Sequence, residues 1–273
     1  MDDMRRQKKI IGAIARIVVA GLLGCRFLVS CSKDDQPIPE DTVYRDKTIF
    51  STQMNRTMKY TVWLPKSYDP QKSYPVLYLL HGILEDNNSW IDKGNAREIA
   101  REYIAKGGTP MVIVMPDGLT TFHTNSSLGN WESYFHEELM PEVEKTFHCN
   151  GKRAVAGFSM GGFGSLYNVL NHPDEFLYGY AMSPDTFFGS AIGDVDLEEL
   201  VKALKDVPAS PFITLESGTD DFIISIESVR AFSSMLRENG VRSELIERPG
   251  GHNWDFWTVC LETALDKIGK SLR

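Results

Sequence analysis

The chain has 273 residues, of which 42% are hydrophobic and 24% charged, and its formal net charge is −8. This length fits one domain of α/β size with a full buried core, and the lack of any repeat or low-complexity tract argues against a solenoid or fibrous protein. Residues 1–30 hold six of the 29 Lys and Arg and two of the 37 Asp and Glu. The remaining residues therefore carry a formal net charge of −12, which argues against nucleic acid as a partner.

The first thirty residues have the layout of an export signal. A basic start precedes an apolar run over residues 10–29. Two arginines interrupt this run, which makes it a poor match to a transmembrane helix. The run ends in Leu28-Val29-Ser30-Cys31, which resembles a bacterial lipobox, where a signal peptidase cuts before a cysteine that is then lipidated. A second, weaker candidate ends at Cys25.

These features predict a lipoprotein signal peptide over residues 1–30, lipidation at Cys31 and a polar linker over residues 31–45. The expected location is a membrane-anchored lipoprotein of the outer membrane or cell surface. A plain cleaved signal, which would give a periplasmic or secreted protein, is the alternative.

Strand and helix patterns alternate along the rest of the chain. Strand patterns occur at 47–50, 58–64, 74–80, 111–115, 153–157, 177–182, 212–216 and 243–247. Helical patterns occur at 96–105, 131–147, 160–170, 224–239 and 254–268. The first two strands predict an antiparallel hairpin. The later alternation predicts an α/β domain over residues 46–273, with a mainly parallel sheet covered by helices on both faces. Residues 183–211 have little strand character and suggest a short helical insertion.

The strongest chemical signal is Gly157-Phe158-Ser159-Met160-Gly161, a G-x-S-x-G pentapeptide. It lies between a strand pattern and a helix pattern, which is the strand–turn–helix setting that a nucleophile elbow requires. The glycines let the backbone pack closely around a sharply turned serine. A glycine-rich helix start in any α/β protein is the alternative explanation.

A serine hydroxyl needs an adjacent base, and in such folds the acid and the histidine follow the serine in sequence. His252 is the one histidine after His172, and it lies in a loop between the last predicted strand and helix. The acid should follow the strand at 212–216, where Asp220 and Asp221 stand side by side and leave the register open. Taken alone, the histidine fits an ordinary surface loop and the aspartate fits a helix N-cap.

An acyl-transfer site also needs two backbone N–H donors for the developing oxyanion. Met160 follows the nucleophile, and Ile83 lies in the loop after the strand at 74–80. His81 precedes the nucleophile in chain order, so we interpret it as a structural hydrogen-bonding residue.

These motifs resemble the esterase D-like family of α/β-hydrolases, which includes feruloyl and acetylxylan esterases, S-formylglutathione hydrolases, siderophore esterases and mycolyltransferases. The resemblance covers residues 46–270 and rests on the segments at 78–82, 115–118, 138–144, 157–162, 218–221 and 250–252, with Trp90 and Trp131. It implies the α/β-hydrolase fold and a Ser-His-Asp acyl-enzyme mechanism without a cofactor. It also assigns the acid to Asp221 and the second oxyanion donor to Ile83.

An exported member of this family would not meet a glutathione thioester, because that substrate is cytosolic. We therefore expect a carboxylic ester substrate linked to plant cell-wall carbohydrate, as in a feruloyl or acetylxylan esterase. Siderophore-ester hydrolysis and acyl transfer are alternatives, and a non-catalytic surface adhesin is the alternative of another class. Trp90, Trp131 and Trp254 are candidate substrate contacts, with Trp257 beside them. No metal-binding spacing is found, so no metal site is predicted, and pairing of Cys149 with Cys260 stays open.

Overall fold

The computed structural model describes residues 40–66, 68–187, 189, 194–205 and 211–273. The predicted signal peptide, Cys31 and most of the predicted linker lie outside these residues. The first strand begins at Thr42, four residues before the predicted domain start at residue 46. The physical reason is pairing, because Thr42, Val43 and Tyr44 are already in register with the second strand.

Eight strands of the described chain form one sheet in the order β1-β2-β4-β3-β7-β8-β9-β10, and β5 pairs with β6 alone. The strands are β1 (Thr42–Ser51), β2 (Arg56–Leu64), β3 (Tyr74–Leu80), β4 (Val112–Pro116), β5 (Asn125–Ser126), β6 (Gly129–Asn130), β7 (Cys149–Phe158), β8 (Tyr178–Met182), β9 (Phe212–Gly218) and β10 (Ser243–Arg248). β2 is antiparallel to β1 and to β4, and all other pairs in the large sheet are parallel. The predicted opening hairpin and parallel sheet are therefore confirmed.

The helices follow the predicted alternation. They are α1 (Ser89–Asp92), α2 (Ala96–Ala105), α3 (Trp131–Ser133), a π-helix (Tyr134–Leu139), α4 (Met140–Thr146), α5 (Met160–Asn171), α6 (Leu197–Ala203), α7 (Ile226–Glu238) and α8 (Trp254–Ser271). The segment predicted as one helix at 131–147 is thus interrupted by a π-helical stretch, a feature that often marks functional or strained positions. The predicted insertion contains α6, which Asp196 caps by accepting from the N–H groups of Glu198 and Glu199.

Both faces of the sheet are buried under helices. Along β3, Val76, Tyr78 and Leu80 pack into one core cluster with residues of α5 and α7, whereas Leu77 and Leu79 pack into a second cluster with residues of α2 and α8. Successive side chains of a strand point to opposite faces, so burial of both faces explains the continuous apolar run.

Two further findings concern the cysteines and the helices. Cys149 and Cys260 are both free thiols, so the pairing left open by the sequence is not made. Within the described part of the chain, no helix combines the length and apolar character needed to span a bilayer.

Candidate active site

The parallel strands bring their carboxyl ends to one edge of the sheet, and Ser159 stands there in the turn between β7 and α5. Its backbone has φ +54° and ψ −120°, which is a strained conformation for a residue with a side chain. Its N–H donates to Met182 O of β8 at 2.9 Å, and its carbonyl accepts from Phe163 N–H at 2.9 Å. The turn is therefore held from both sides, with the hydroxyl presented at the end of the sheet.

The glycines around this serine are required by packing. A Cβ atom at Gly157 would lie 2.5 Å from the carbonyl oxygen of Gly161, and one at Gly161 would lie 2.6 Å from the carbonyl oxygens of Leu80 and His81. Real Cβ contacts are essentially never this short, so both positions need glycine. This close approach also brings the loop after β3 against the start of α5.

His252 and Asp221 complete a hydrogen-bonded chain with the serine. His252 Nε2 lies 2.9 Å from Ser159 Oγ, and His252 Nδ1 lies 2.8 Å from Asp221 Oδ2. A carboxylate can only accept, so His252 Nδ1 carries the proton and Nε2 has its lone pair toward the serine hydroxyl. This is the proton arrangement that a general base needs before it activates a nucleophile.

The Asp221 carboxylate is buried, and its second oxygen is also occupied. Asp221 Oδ1 accepts from the N–H groups of Ile223 and Ile224, each at 2.9 Å. These two donors fix the plane of the carboxylate and compensate for its removal from water. The other oxygen is thereby directed at His252.

Asp220 is exposed and faces a different partner. Its Oδ2 accepts from Gly250 N–H at 3.0 Å, and its own N–H donates to Gly250 O at 3.0 Å. Asp220 therefore braces the loop two residues before His252 and does not contact the imidazole. Of the two adjacent aspartates, the structure brings Asp221 to the histidine.

The loop that carries His252 is fixed by packing on both of its sides. Gly250 has φ +148°, and a Cβ atom there would lie 2.5 Å from the Phe256 ring. After the histidine, Asn253 caps α8 by accepting from Phe256 N–H at 3.0 Å, and the Trp257 ring packs edge-on against the imidazole. These contacts hold the loop histidine on both of its sides.

The two predicted oxyanion donors follow Ser159 and the strand β3 in the chain. Met160 is the first residue of α5, so its N–H has no acceptor within the helix. Ile83 lies inside the turn in which Glu85 N–H donates to Gly82 O at 3.3 Å. Both N–H groups belong to segments that the glycine contacts above hold together.

His81 fixes the loop after β3, which agrees with its predicted structural role. Its Nε2 accepts from Gly118 N–H at 2.7 Å, so the proton is on Nδ1, which donates to Gly82 O at 2.7 Å. The ring packs on that of His123, whose pKa burial lowers to about 3. The His81 ring therefore ties the Ile83 turn to the loop after β4.

Two of the predicted substrate contacts are wrong. Trp90 is 1% exposed and donates from Nε1 to Leu80 O at 3.0 Å, and Trp131 is 0% exposed and donates to Asp117 O at 3.0 Å. Both indoles are core side chains with satisfied N–H groups, so substrate cannot reach them in this structure. Trp254 is half-buried, donates to Glu85 Oε1 at 3.3 Å and remains a candidate contact, whereas Trp257 is buried.

Exposed apolar side chains lie in the loops that follow Gly82 and Asp221. Leu84 and Phe222 are 89% and 88% exposed, and Ile83 and Ile223 are exposed beside them. A cleft of about 480 Å³ adjoins the turn after Gly82, and Leu84 and Leu128 are among its lining residues. The sequence could have predicted these exposed apolar residues. Ile83, Leu84, Phe222 and Ile223 directly follow the oxyanion and acid motifs, in loops where polar residues are usual.

Asp185 is a further acidic group of this region that the sequence did not single out. It lies in the loop after β8, where its carboxylate accepts from Phe187 N–H at 3.1 Å. Burial raises the pKa of Asp185, and electrostatic interaction with His252 acts in the opposite direction. The start of the insertion after β8 therefore borders the site.

Comparison with known proteins is consistent with this geometry. The family model described as "Putative esterase" matches residues 51–268. The chain belongs to this esterase family. Its α/β-hydrolase fold is shared with a solved structure named ferulic acid esterase, which is 28% identical in sequence and has a TM-score of 0.76. The alignment covers 86% of this chain and 99% of that structure. The predicted family and fold are thereby confirmed.

Two curated relatives of this esterase-family chain act on different esters according to their names. An endo-1,4-beta-xylanase/feruloyl esterase of Xylanibacter ruminicola is 29% identical over 82% of this chain, which spans 31% of that longer protein. An acetyl esterase of Caldicellulosiruptor saccharolyticus is 26% identical over 71% of this chain and 83% of its own length. The esterase-family chain thus corresponds to one part of the first relative and to most of the second.

Proposed function

We propose that this protein hydrolyses carboxylic esters of plant cell-wall carbohydrate, of the feruloyl or acetylxylan type, through an acyl-enzyme on Ser159. The observation that carries the proposal is the hydrogen-bonded chain from Asp221 through His252 to Ser159, with 2.8 Å and 2.9 Å between its members. It supplies a nucleophile, a base and a group that orients the base, which together serve acyl transfer.

The chemistry follows from the positions of the protons. His252 Nε2 takes the hydroxyl proton of Ser159 as Oγ attacks the ester carbonyl carbon, and the N–H groups of Met160 and Ile83 bind the oxyanion. When the carbon–oxygen ester bond breaks, the imidazolium returns that proton to the leaving alcohol. Water then gives a proton to His252 as it attacks the acyl carbon. The imidazolium passes that proton to Ser159 Oγ as the bond between Oγ and the acyl carbon breaks, which releases the carboxylic acid and restores the serine hydroxyl. Asp221 stabilises the imidazolium in both halves.

The substrate class is supported by the relatives and by the exposed apolar side chains. One relative carries feruloyl esterase in its name together with a xylanase, and a solved structure of the same fold is named ferulic acid esterase. The exposed apolar side chains of Leu84 and Phe222 suit an aromatic acyl group better than a small charged one. The acetyl esterase relative favours acetylated xylan as the second candidate.

A substrate panel tests the proposal. We expect wild-type protein to turn over a short p-nitrophenyl ester and to show its highest kcat/KM on methyl ferulate or acetylated xylan. Preference for a siderophore ester would contradict the substrate class, and accumulation of acylated sugar in place of free acid would show a transferase. A folded protein inactive on every ester would favour the adhesin alternative.

We also propose that the mature protein begins at a lipidated Cys31 and is anchored at the outer membrane or cell surface. Cys31→Ala should release active enzyme into soluble fractions or leave it unprocessed, whereas Cys25→Ala, which alters the weaker lipobox, should leave it anchored. Stable anchoring needs two or more acyl chains at about 0.8 kcal/mol per buried CH₂. Mass spectrometry of the mature N-terminus measures this directly, and an unmodified terminus at another residue contradicts the anchor.

A further inference from the structure

Two histidines and a glutamate meet at the end of α5 that is remote from Ser159. His136 comes from the π-helix, His172 follows the last residue of α5, and Glu175 lies in the turn after it. The twelve residues of α5 rise by about 18 Å at 1.5 Å per residue. The cluster therefore lies far from the reacting atoms, and any role it has must be separate from the ester chemistry.

The proton position on His136 is fixed by a buried amide. Asn168 donates from Nδ2 to Gly164 O at 2.7 Å, which directs its Oδ1 to His136 Nε2 at 2.8 Å. An amide oxygen accepts, so His136 Nε2 carries the proton. His136 Nδ1 lies 3.0 Å from Glu175 Oε2.

His172 has the same arrangement with a different anchor. Its Nε2 lies 2.7 Å from Glu132 Oε1, a carboxylate that also accepts from Asn171 Nδ2 at 2.7 Å and from the Tyr167 hydroxyl. The proton is again on Nε2, and Nδ1 lies 3.8 Å from Glu175 Oε1. The two imidazole rings lie against each other, with centroids 3.9 Å apart.

Two imidazole nitrogens and one carboxylate therefore converge, and their ligand atoms all lie within 4.8 Å of one another. Positive charge can lie between these groups as a ring proton, since Glu132 outweighs burial and raises the pKa of His172, or as a bound cation. The neighbouring Arg153 is directed mainly at another carboxylate. Its Nη1 is 3.9 Å from Glu175 Oε2, while its Nε and Nη2 donate to the two oxygens of Glu144 at 2.6 and 2.9 Å.

We propose that His136, His172 and Glu175 bind a divalent transition-metal ion, with Zn²⁺ as the best match. Imidazole nitrogen and carboxylate oxygen are zinc ligands at about 2.0–2.2 Å, and a tetrahedral site then separates its ligand atoms by about 3.3 Å. Glu175 offers one oxygen to each ring, Oε2 at 3.0 Å from His136 Nδ1 and Oε1 at 3.8 Å from His172 Nδ1, and both separations are within about 0.5 Å of that value. Asn168 and Glu132 hold the other ring nitrogens, as outer partners of metal-bound histidines do.

Bound zinc would clamp the π-helix to the end of α5. Such an ion stabilises the fold through its affinity for the native state and takes no part in ester hydrolysis. The sequence contains no compact metal-ligand motif here, because residue 136 is separated from residues 172–175 by β7 and the whole of α5.

Zinc binding by the chelator-treated, full-length protein tests the proposal. Stoichiometry is measured by mass spectrometry of bound metal, affinity by calorimetric titration, and stability by thermal unfolding with and without ZnCl₂. We expect wild-type protein to bind one Zn²⁺ more than His172→Gln or Glu175→Gln and to gain a higher Tm that both variants lack. Glu132→Gln should weaken the affinity about 10- to 100-fold through the outer partner of His172.

The matched control is His148→Asn, which removes an exposed histidine outside the cluster and places asparagine at a positive φ that it tolerates. This control should bind zinc as wild type does. Turnover of a p-nitrophenyl ester by each variant reports that the domain is folded, and zinc should not change it. Equal zinc affinity in wild type, His172→Gln and Glu175→Gln, or no binding by wild type, would overturn the proposal.

Discussion

Ser159→Ala is expected to lower kcat for ester hydrolysis by about four to six orders of magnitude, because the attacking oxygen is removed. The fold should survive, since alanine keeps the Cβ atom and the turn is held by backbone hydrogen bonds to Met182 and Phe163. The substitution removes one hydrogen bond, that between Ser159 Oγ and His252 Nε2. A change in Tm of only a few degrees is expected from the loss of one such bond.

Steady-state turnover of a p-nitrophenyl ester and thermal unfolding measure these two effects. Ser234→Ala is the matched control, because it removes a serine hydroxyl on α7 whose described partner is Arg237, away from the nucleophile turn. It should keep wild-type kcat. Turnover close to wild type by folded Ser159→Ala protein would show that another group attacks the ester.

The fold was predictable because its strands are buried on both faces. A run such as Tyr74–Leu80 is apolar at every position, and the helix at Ala96–Ala105 has the bounds that its periodicity predicted. Predictions were wrong where local pattern is weak. The start of β1 mixes polar and apolar residues of partial exposure, so only its pairing with β2 reveals it as a strand.

The candidate site was predictable to the extent that it depends on chain order and strand ends. Ser159, an aspartate and His252 follow three different strands of a parallel sheet, and parallel strands end at one edge. The wrong predictions for this site concern the directions in which side chains point. Trp90 and Trp131 are aromatic residues within the family motifs, but the sequence does not show that their N–H groups reach the carbonyls of Leu80 and Asp117 inside the core.

The choice between Asp220 and Asp221 also lay beyond the residue pattern, because both follow β9 by only a few residues. What separates them is burial. The Asp221 carboxylate is removed from water and has three hydrogen-bonding partners, whereas Asp220 is exposed and braces Gly250. This difference leads to the second large expected effect.

Asp221→Asn should lower kcat/KM by about four orders of magnitude, the size seen when the aspartate of a serine protease triad is changed in the same way. The N–H groups of Ile223 and Ile224 would hold the amide oxygen of the new asparagine where Oδ1 is now. Its NH₂ group would then face His252 Nδ1 and donate to it. The imidazole proton would move to Nε2, so the ring would present a donor, not a lone pair, to Ser159 Oγ.

Asp220→Asn is the matched control, one residue away and with the same change of atoms. Its amide oxygen can still accept from Gly250 N–H, and the side chain is exposed, so kcat/KM should stay within about threefold of wild type. Measurement of kcat/KM on a p-nitrophenyl ester, with thermal unfolding of each variant, compares the two directly. If Asp220→Asn is the variant that loses activity while Asp221→Asn keeps it, the acid of the triad is Asp220, and the hydrogen bond between Asp221 and His252 does not support catalysis.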